Sequence, residues 1–169
     1  MQLLYILFFA AIISVNSFPQ TVNSENEKVK KDSIAILESQ RVKFDPARNA
    51  EEDLKNAIEM ADSLNKRILL DVGGEWCSWC HLLDYFFLSN RDIHDLLHQT
   101  YVVVKINFSE ENKNEKFLSG YPKIPGFPHI FILEKNGKLL HSQNTGELES
   151  GRGYSRERII EMLDKWKLE

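Results

Sequence analysis

The residues most able to do chemistry stand together in Trp76-Cys77-Ser78-Trp79-Cys80-His81, which holds both cysteines of the chain. Three chemistries are open to it. The first is a dithiol redox centre. Two cysteines at this spacing, just after a strand and at the start of a helix, can reach each other and form a disulfide in an oxidising compartment. A loop this small gains only about 2 kcal/mol from closure in the chain-entropy model, so redox work suits the bond better than a structural role. The helix N-terminus would stabilise a thiolate at Cys77, which would attack a substrate disulfide. Cys80, one turn further in, would then resolve the mixed disulfide.

The second chemistry is covalent haem attachment, because Cys77-Ser78-Trp79-Cys80-His81 spells C-x-x-C-H. Haem c domains are mostly helical, whereas a hydrophobic strand and Gly73-Gly74 precede this motif. Met60 and Met162 are not obvious axial ligands, although a His could serve. The third is zinc, from Cys77-x2-Cys80-x13-His94-x3-His98. A finger places its cysteines on a hairpin, yet Leu83, Phe86 and Phe87 read as helix, which leaves His94 and His98 as ordinary surface positions.

These residues need elements to hold them. Leu54, Ala57, Ile58, Ala61 and Leu64 recur at helical spacing, and Asn49 with Glu52 can form a capping box, so the pattern predicts an amphipathic helix to about Asn65. Ile68-Leu69-Leu70-Asp71-Val72 reads as a buried strand ended by Gly73-Gly74, and Val102 to Ile106 as another. Helix lies between them, interrupted near Ser89-Asn90. Ile130 to Leu133 and Leu139-Leu140 flank Lys135-Asn136-Gly137-Lys138, where Asn-Gly suits the positive φ angles of a tight hairpin. Ser155 can cap a last helix with Ile159, Ile160, Leu163 and Trp166 on one face. There is no internal repeat. Helix and strand alternating, then a hairpin and a helix, indicate α/β with a mixed sheet.

Ahead of this, Leu3 to Val15 is an apolar run broken only by Ser14, and Val15-Asn16-Ser17 offers small residues where a signal peptidase reads. Residues 1–17 are expected to be a signal peptide, cleaved after about Ser17. At 1.5 Å per residue the run spans about 20 Å, short of the roughly 30 Å hydrocarbon core, so the mature form should carry no membrane span. No Lys or Arg precedes the run, which keeps an uncleaved membrane anchor open. Either way the rest of the chain lies outside the cytoplasm. Residues 18–44 are expected to be a polar leader, its first part mobile and without chemistry, and 45–169 the domain.

The 169 residues, 43% hydrophobic and 27% charged, suffice for one domain with a real core. A net charge of −4 lacks the positive field that phosphate backbones require, which argues against nucleic acid as a partner.

Taken together, the chain resembles the thioredoxin-like superfamily from about Asn49 to Trp166, most closely its exported bacterial members. Ile68-Leu69-Leu70-Asp71 followed by Glu75-Trp76-Cys77 is similar to the thioredoxin strand, buried Asp and active-site lead-in, and Val104-Lys105-Ile106-Asn107 to the next strand with its Lys. Gly126-Phe127-Pro128 resembles the cis-proline loop that sits against the active cysteines. The resemblance implies a thioredoxin-like fold, a mixed β-sheet flanked by helices with an extra helix before the active-site strand. It implies that Asp71 exchanges the proton of Cys80, that Lys105 lies near Asp71 and modulates it, and that Phe127 offers backbone hydrogen bonds to an extended substrate while Pro128 leaves the approach to Cys77 free. Thr145-Gly146 would supply a third edge of the groove, and Trp76 would border it.

The sequence departs from that pattern where tuning happens. Ser78-Trp79 replaces Gly-Pro, so potential and preference do not transfer, and His81 stands where thioredoxin has Lys, a position for redox tuning. Glu149 to Tyr154 looks inserted, without an assigned role. The expected activity is exported thiol-disulfide exchange with protein disulfides or dithiols, reduction favoured, with no cofactor beyond the Cys77-Cys80 disulfide. A reductase would need a dithiol electron-donor protein, since the chain has no dinucleotide fingerprint. The alternatives are a binding or chaperone module whose groove around Trp76, Trp79 and Phe127 holds unfolded segments, and a c-type haem protein.

Overall fold

A computed structural model describes residues 20–168. The expected signal peptide lies outside the described residues. Among these, no helix is long and apolar enough to cross a membrane.

The chain divides into a unit reaching to Ile36 and a second, Leu37–Glu169, with the helix α1 (Gln20–Gln40) running through the boundary. Lys and Glu dominate its middle, good helix formers that need no buried face. The leader is therefore helical from Gln20 to Gln40, and its last residues belong to the second unit. Phe44 and the Arg41 side chain are buried there.

In the second unit α2 (Ala50–Leu64) begins where expected, with Asn49 Oδ1 accepting the Glu52 amide at 3.1 Å. It ends at Asn65, in the left-handed region at φ 50°. Then follow β1 (Arg67–Gly73), α3 (Ser78–Ser89), α4 (Arg91–Thr100) and β2 (Tyr101–Asn107). The helix pair is the crossover that two parallel strands require, and it breaks at Asn90, whose side chain donates to the Phe86 carbonyl at 2.7 Å. A short α5 (Glu115–Leu118), the hairpin β3 (His129–Leu133) and β4 (Leu139–Asn144), a two-stranded ribbon β5 (Glu149–Ser150) and β6 (Gly153–Tyr154), and α6 (Arg156–Lys165) complete the chain.

The main sheet has the order β2-β1-β3-β4, parallel between β1 and β2 and antiparallel elsewhere, which is the mixed sheet expected. Alternation along β1 supplies both cores. Ile68, Leu70 and Val72 pack with Ala50, Ala57 and Ala61, whose small side chains let α2 lie close to the sheet. Leu69 faces the other layer, with Leu83, Leu97, Ile159 and Leu163 of α3, α4 and α6.

Three details differ from the expected elements. In the hairpin turn Gly137 takes positive φ (85°) but Asn136 does not, and the register shifts between Ile132 and Leu133, so a bulge rather than a two-residue turn sets the pairing. β4 runs on to Asn144, because an edge strand needs no apolar alternation to pair. On α6 Met162 is buried with Ile159 and Leu163, while Trp166 stacks on His141 at 4.7 Å.

Candidate active site

Cys77 and Cys80 are joined by a disulfide, with 5.2 Å between their Cα atoms. Cys77 is the N-cap of α3, its Sγ accepting the Cys80 amide at 3.1 Å, so the first sulfur sits at the positive end of the helix dipole. Both are buried, Cys77 at 5% and Cys80 at 1% exposure. Phe44, Trp79 and Phe127 pack around them. Gly73 makes this closeness possible, since a Cβ there would stand 2.6 Å from Cys80 Sγ and 2.9 Å from Phe44 Cζ.

The Phe127-Pro128 peptide bond is cis. Phe127 stacks on Phe108 at 4.7 Å and receives the edge of Trp76 at 5.6 Å, and Trp76 Nε1 donates to the Phe108 carbonyl at 2.6 Å. Trp76 nevertheless stays 59% exposed, so an aromatic wall beside the disulfide is open to solvent. Trp79 turns to a different partner, packing edge-on against Tyr154 at 5.7 Å. The Tyr154 hydroxyl donates to the Trp79 carbonyl at 3.3 Å, which gives the Glu149 to Tyr154 stretch a role: its ribbon buttresses the hexapeptide from behind.

Behind the pair lies a charge network. Asp71 and Lys105 are register partners on β1 and β2, and Lys105 Nζ donates to Asp71 Oδ2 at 2.6 Å. The same ammonium donates to Asp84, one turn beyond Cys80 on α3, and lies 4.3 Å from the centre of the Phe44 ring. Asp84 Oδ2 accepts from Arg41 at 3.1 Å; Arg41 also grips Glu75 with both terminal nitrogens and reaches Glu38 at 3.2 Å. Burial, and then the charge of Asp71, push the Asp84 carboxyl above the ordinary carboxylate range against the pull of Lys105 and Arg41. Burial opposes the charge on Lys105, but Asp71 and Asp84 together outweigh it and raise its pKa. Glu38 is held down at about 2 by its hydrogen bonds to Arg41 and Tyr85.

A sequence model described as thioredoxin-like matches residues 49–135. The chain belongs to the thioredoxin-like family. Among solved structures it is similar to a disulphide isomerase from Xylella fastidiosa Temecula1, at 26% identity and TM-score 0.63 over 74% of this chain and 96% of that one. The oxidised DsbD C-terminal domain of Neisseria meningitidis shares the fold, at 17% identity and TM-score 0.53 over 75% of this chain and 100% of that domain. Human spermatogenesis-associated protein 20 is 34% identical over 62 residues, 37% of this chain. The match spans only 8% of that protein's length.

Against this thioredoxin-like frame, the expected site residues fall in three groups. Cys77, Cys80, Trp76, Phe127 and Pro128 converge on one face, and Asp71 with Lys105 forms the buried pair behind it. His81 points to the Glu75 carboxylate, 3.6 Å away, and Trp79 to Tyr154. Gly146 gives its amide to Asn144 Oδ1 at 3.1 Å and its carbonyl to the Glu149 amide, and the neighbouring Thr145 hydroxyl donates to the Pro128 carbonyl. His94 and His98 lie on α4 with ring centres 4.3 Å apart, His94 half-buried and His98 exposed, as surface positions on a helix. Participants missed in the sequence include Arg41, Phe44, Asp84, Phe108 and Tyr154. Asp84 alone left a signal, an acid four residues after Cys80 in an otherwise apolar helix.

Proposed function

We propose that the chain is an exported thiol-disulfide oxidoreductase that reduces disulfides of protein substrates, with Cys77 as nucleophile and Cys80 as resolver. The observation that carries this is the placement of the Cys77-Cys80 disulfide: its first sulfur caps α3, beside a cis-proline loop and an open aromatic wall. The similar disulphide isomerase supports the same chemistry. Export rests on the apolar run Leu3 to Val15 and the small residues that follow it, and 45–169, extended back to Leu37, is the catalytic domain.

In the reduced protein the Cys77 thiolate attacks one sulfur of a substrate disulfide, forming a Cys77-substrate bond and expelling the other substrate sulfur as thiolate. Cys80 gives its proton to Asp71 and attacks Cys77 Sγ. The Cys77-Cys80 bond forms, the second substrate sulfur leaves as thiolate, and both substrate thiolates take protons from solvent. Two electrons have passed to the substrate, and a dithiol protein restores them. Substrate backbone would run along Phe127 and Pro128, with Trp76 against its side chains. Lys105 holds Asp71 in place by its hydrogen bond, and His81 stands beside the Glu75 carboxylate.

Replacing Cys77 by Ser is expected to abolish turnover, and Cys80→Ser to accumulate a mixed disulfide visible by non-reducing electrophoresis and mass spectrometry. Normal turnover in both variants would overturn the mechanism. The exposure of Trp76 beside Phe127 favours one other reading, a peptide-binding module; binding of an unfolded peptide that survives replacement of both cysteines, without exchange activity, would establish it.

A further inference from the structure

Among the described residues, Arg41 and Lys105 are the two buried cations behind the disulfide, and four carboxylates meet them, Asp71, Asp84, Glu75 and Glu38. Lys105 donates to Asp71 and Asp84 at once, so the two carboxylates share one cation. Arg41 stands on the far side of Asp84. Its side chain is fully buried and divided among Asp84, Glu75 and Glu38. Arg41, Asp84, Asp71 and Lys105 also line one cavity of about 220 Å³ together with Leu69 and Leu97, so the four charges face a common space. Asp71 Oδ1 has no hydrogen-bond partner.

We propose that Arg41 is a positioning residue of the redox centre: by binding Asp84 it sets the proton affinity of the Asp71-Asp84 pair, and with it the pH at which Cys80 can be deprotonated for resolution. This rests on the oxidoreductase reading above and deepens it. The last residues of the segment read in the sequence as a polar leader supply the counter-ion. The charged and titratable groups facing the pair are Lys105 from β2, Arg41 and Glu38 from the segment before α2, Glu75 from the loop before α3, His94 and His98 of α4 across the shared cavity and Tyr154 of β6, with His81 and Tyr85 of α3 and Lys43 touching Glu75 or Glu38. Glu75 competes with Asp84 for Arg41. Removing the cation must raise the proton affinity of the pair, and removing its competitor must lower it.

The test is the pH dependence of resolution, measured in the full chain as glutathione release from a Cys77-glutathione mixed disulfide. The step breaks the Cys77-glutathione bond, forms Cys77-Cys80, passes the Cys80 proton to the pair and needs no other reactant. Arg41→Met is expected to move the limb of the profile up by about one pH unit, about tenfold in rate below it, and Arg41→Lys to bring it back toward wild type. Glu75→Gln, at a half-exposed carboxylate, is expected to move the limb down, and decides the matter should Arg41→Met not fold. A limb unmoved in both Arg41→Met and Glu75→Gln, or a uniform loss of rate at every pH, overturns the proposal while leaving the oxidoreductase intact. A wild-type protein that forms no mixed disulfide overturns both.

Discussion

Lys105 Nζ lies 2.6 Å from Asp71 Oδ2 across a parallel strand pair in which the two residues are register partners. A slip of one residue would turn Lys105 to the opposite face of the sheet. The ion pair therefore depends on register, and register on the burial of β1 on both faces. Lys105→Met leaves Asp71 and Asp84 buried without their shared cation, a loss expected to cost about 3–5 kcal/mol at pH 7. The cost should shrink on acidification as the carboxylates take up protons. Urea denaturation at pH 7 and pH 5 checks this; an equal cost at both would show that packing, not charge, is lost.

Tyr154→Phe keeps the ring against Trp79 and Phe86 and removes the hydroxyl that donates to the Trp79 carbonyl. A net hydrogen bond of this kind contributes about 0.5–1.5 kcal/mol. Tyr154→Ala, which also empties the space beneath the hexapeptide, should cost about 3–5 kcal/mol. Thermal unfolding distinguishes the two, and equal losses would mean that the ring contributes nothing.

Trp76→Ala removes exposed surface, so melting should change little. Its partners Phe127 and Phe108 form the wall that a substrate segment would meet. The expected change is a several-fold rise in KM for a protein disulfide with kcat nearly unchanged, the signature of lost uniform binding. A fall in kcat at constant KM would place Trp76 in the reaction instead.

The capped start of α2, the apolar run of β1, the break at Asn90 and the cap of α6 were legible because each depends on residues within a few positions of one another. The hexapeptide with its cis-proline loop was legible through the family pattern. Arg41 was not. Its partners Glu75 and Asp84 lie 34 and 43 residues away, and a lone Arg in a polar stretch reads as solvated until the fold closes over it. Tyr154 was hidden differently, in a Gly-rich stretch that turns out to be a ribbon whose buried end reaches the back of Trp79.

His129 follows the cis-proline directly and is buried, its Nε2 2.9 Å from Ser142 Oγ and its Nδ1 without a partner. Burial first, and then His141, push its pKa down to about 4 from 6.5. The unfolded chain thus binds more protons than the folded one between those values, so stability rises with pH through that window and is lost as pH falls from 6.5 toward 4. At 1.36 kcal/mol per unit the loss reaches about 3 kcal/mol at most. His129→Leu should flatten the stability profile in that range and leave the acid limb below it, which belongs to carboxylates. An unchanged slope in the variant would assign the loss elsewhere.

The central claim is that Cys77 and Cys80 exchange two electrons with substrate. A glutathione redox titration of the protein, followed by the fluorescence of Trp76 and Trp79, tests it most directly. One reversible two-electron transition is predicted, absent in Cys77→Ser, with a midpoint near about −270 mV for a reductant of the thioredoxin kind rather than near about −120 mV for a disulfide donor. No transition, or one that persists without Cys77, would contradict it.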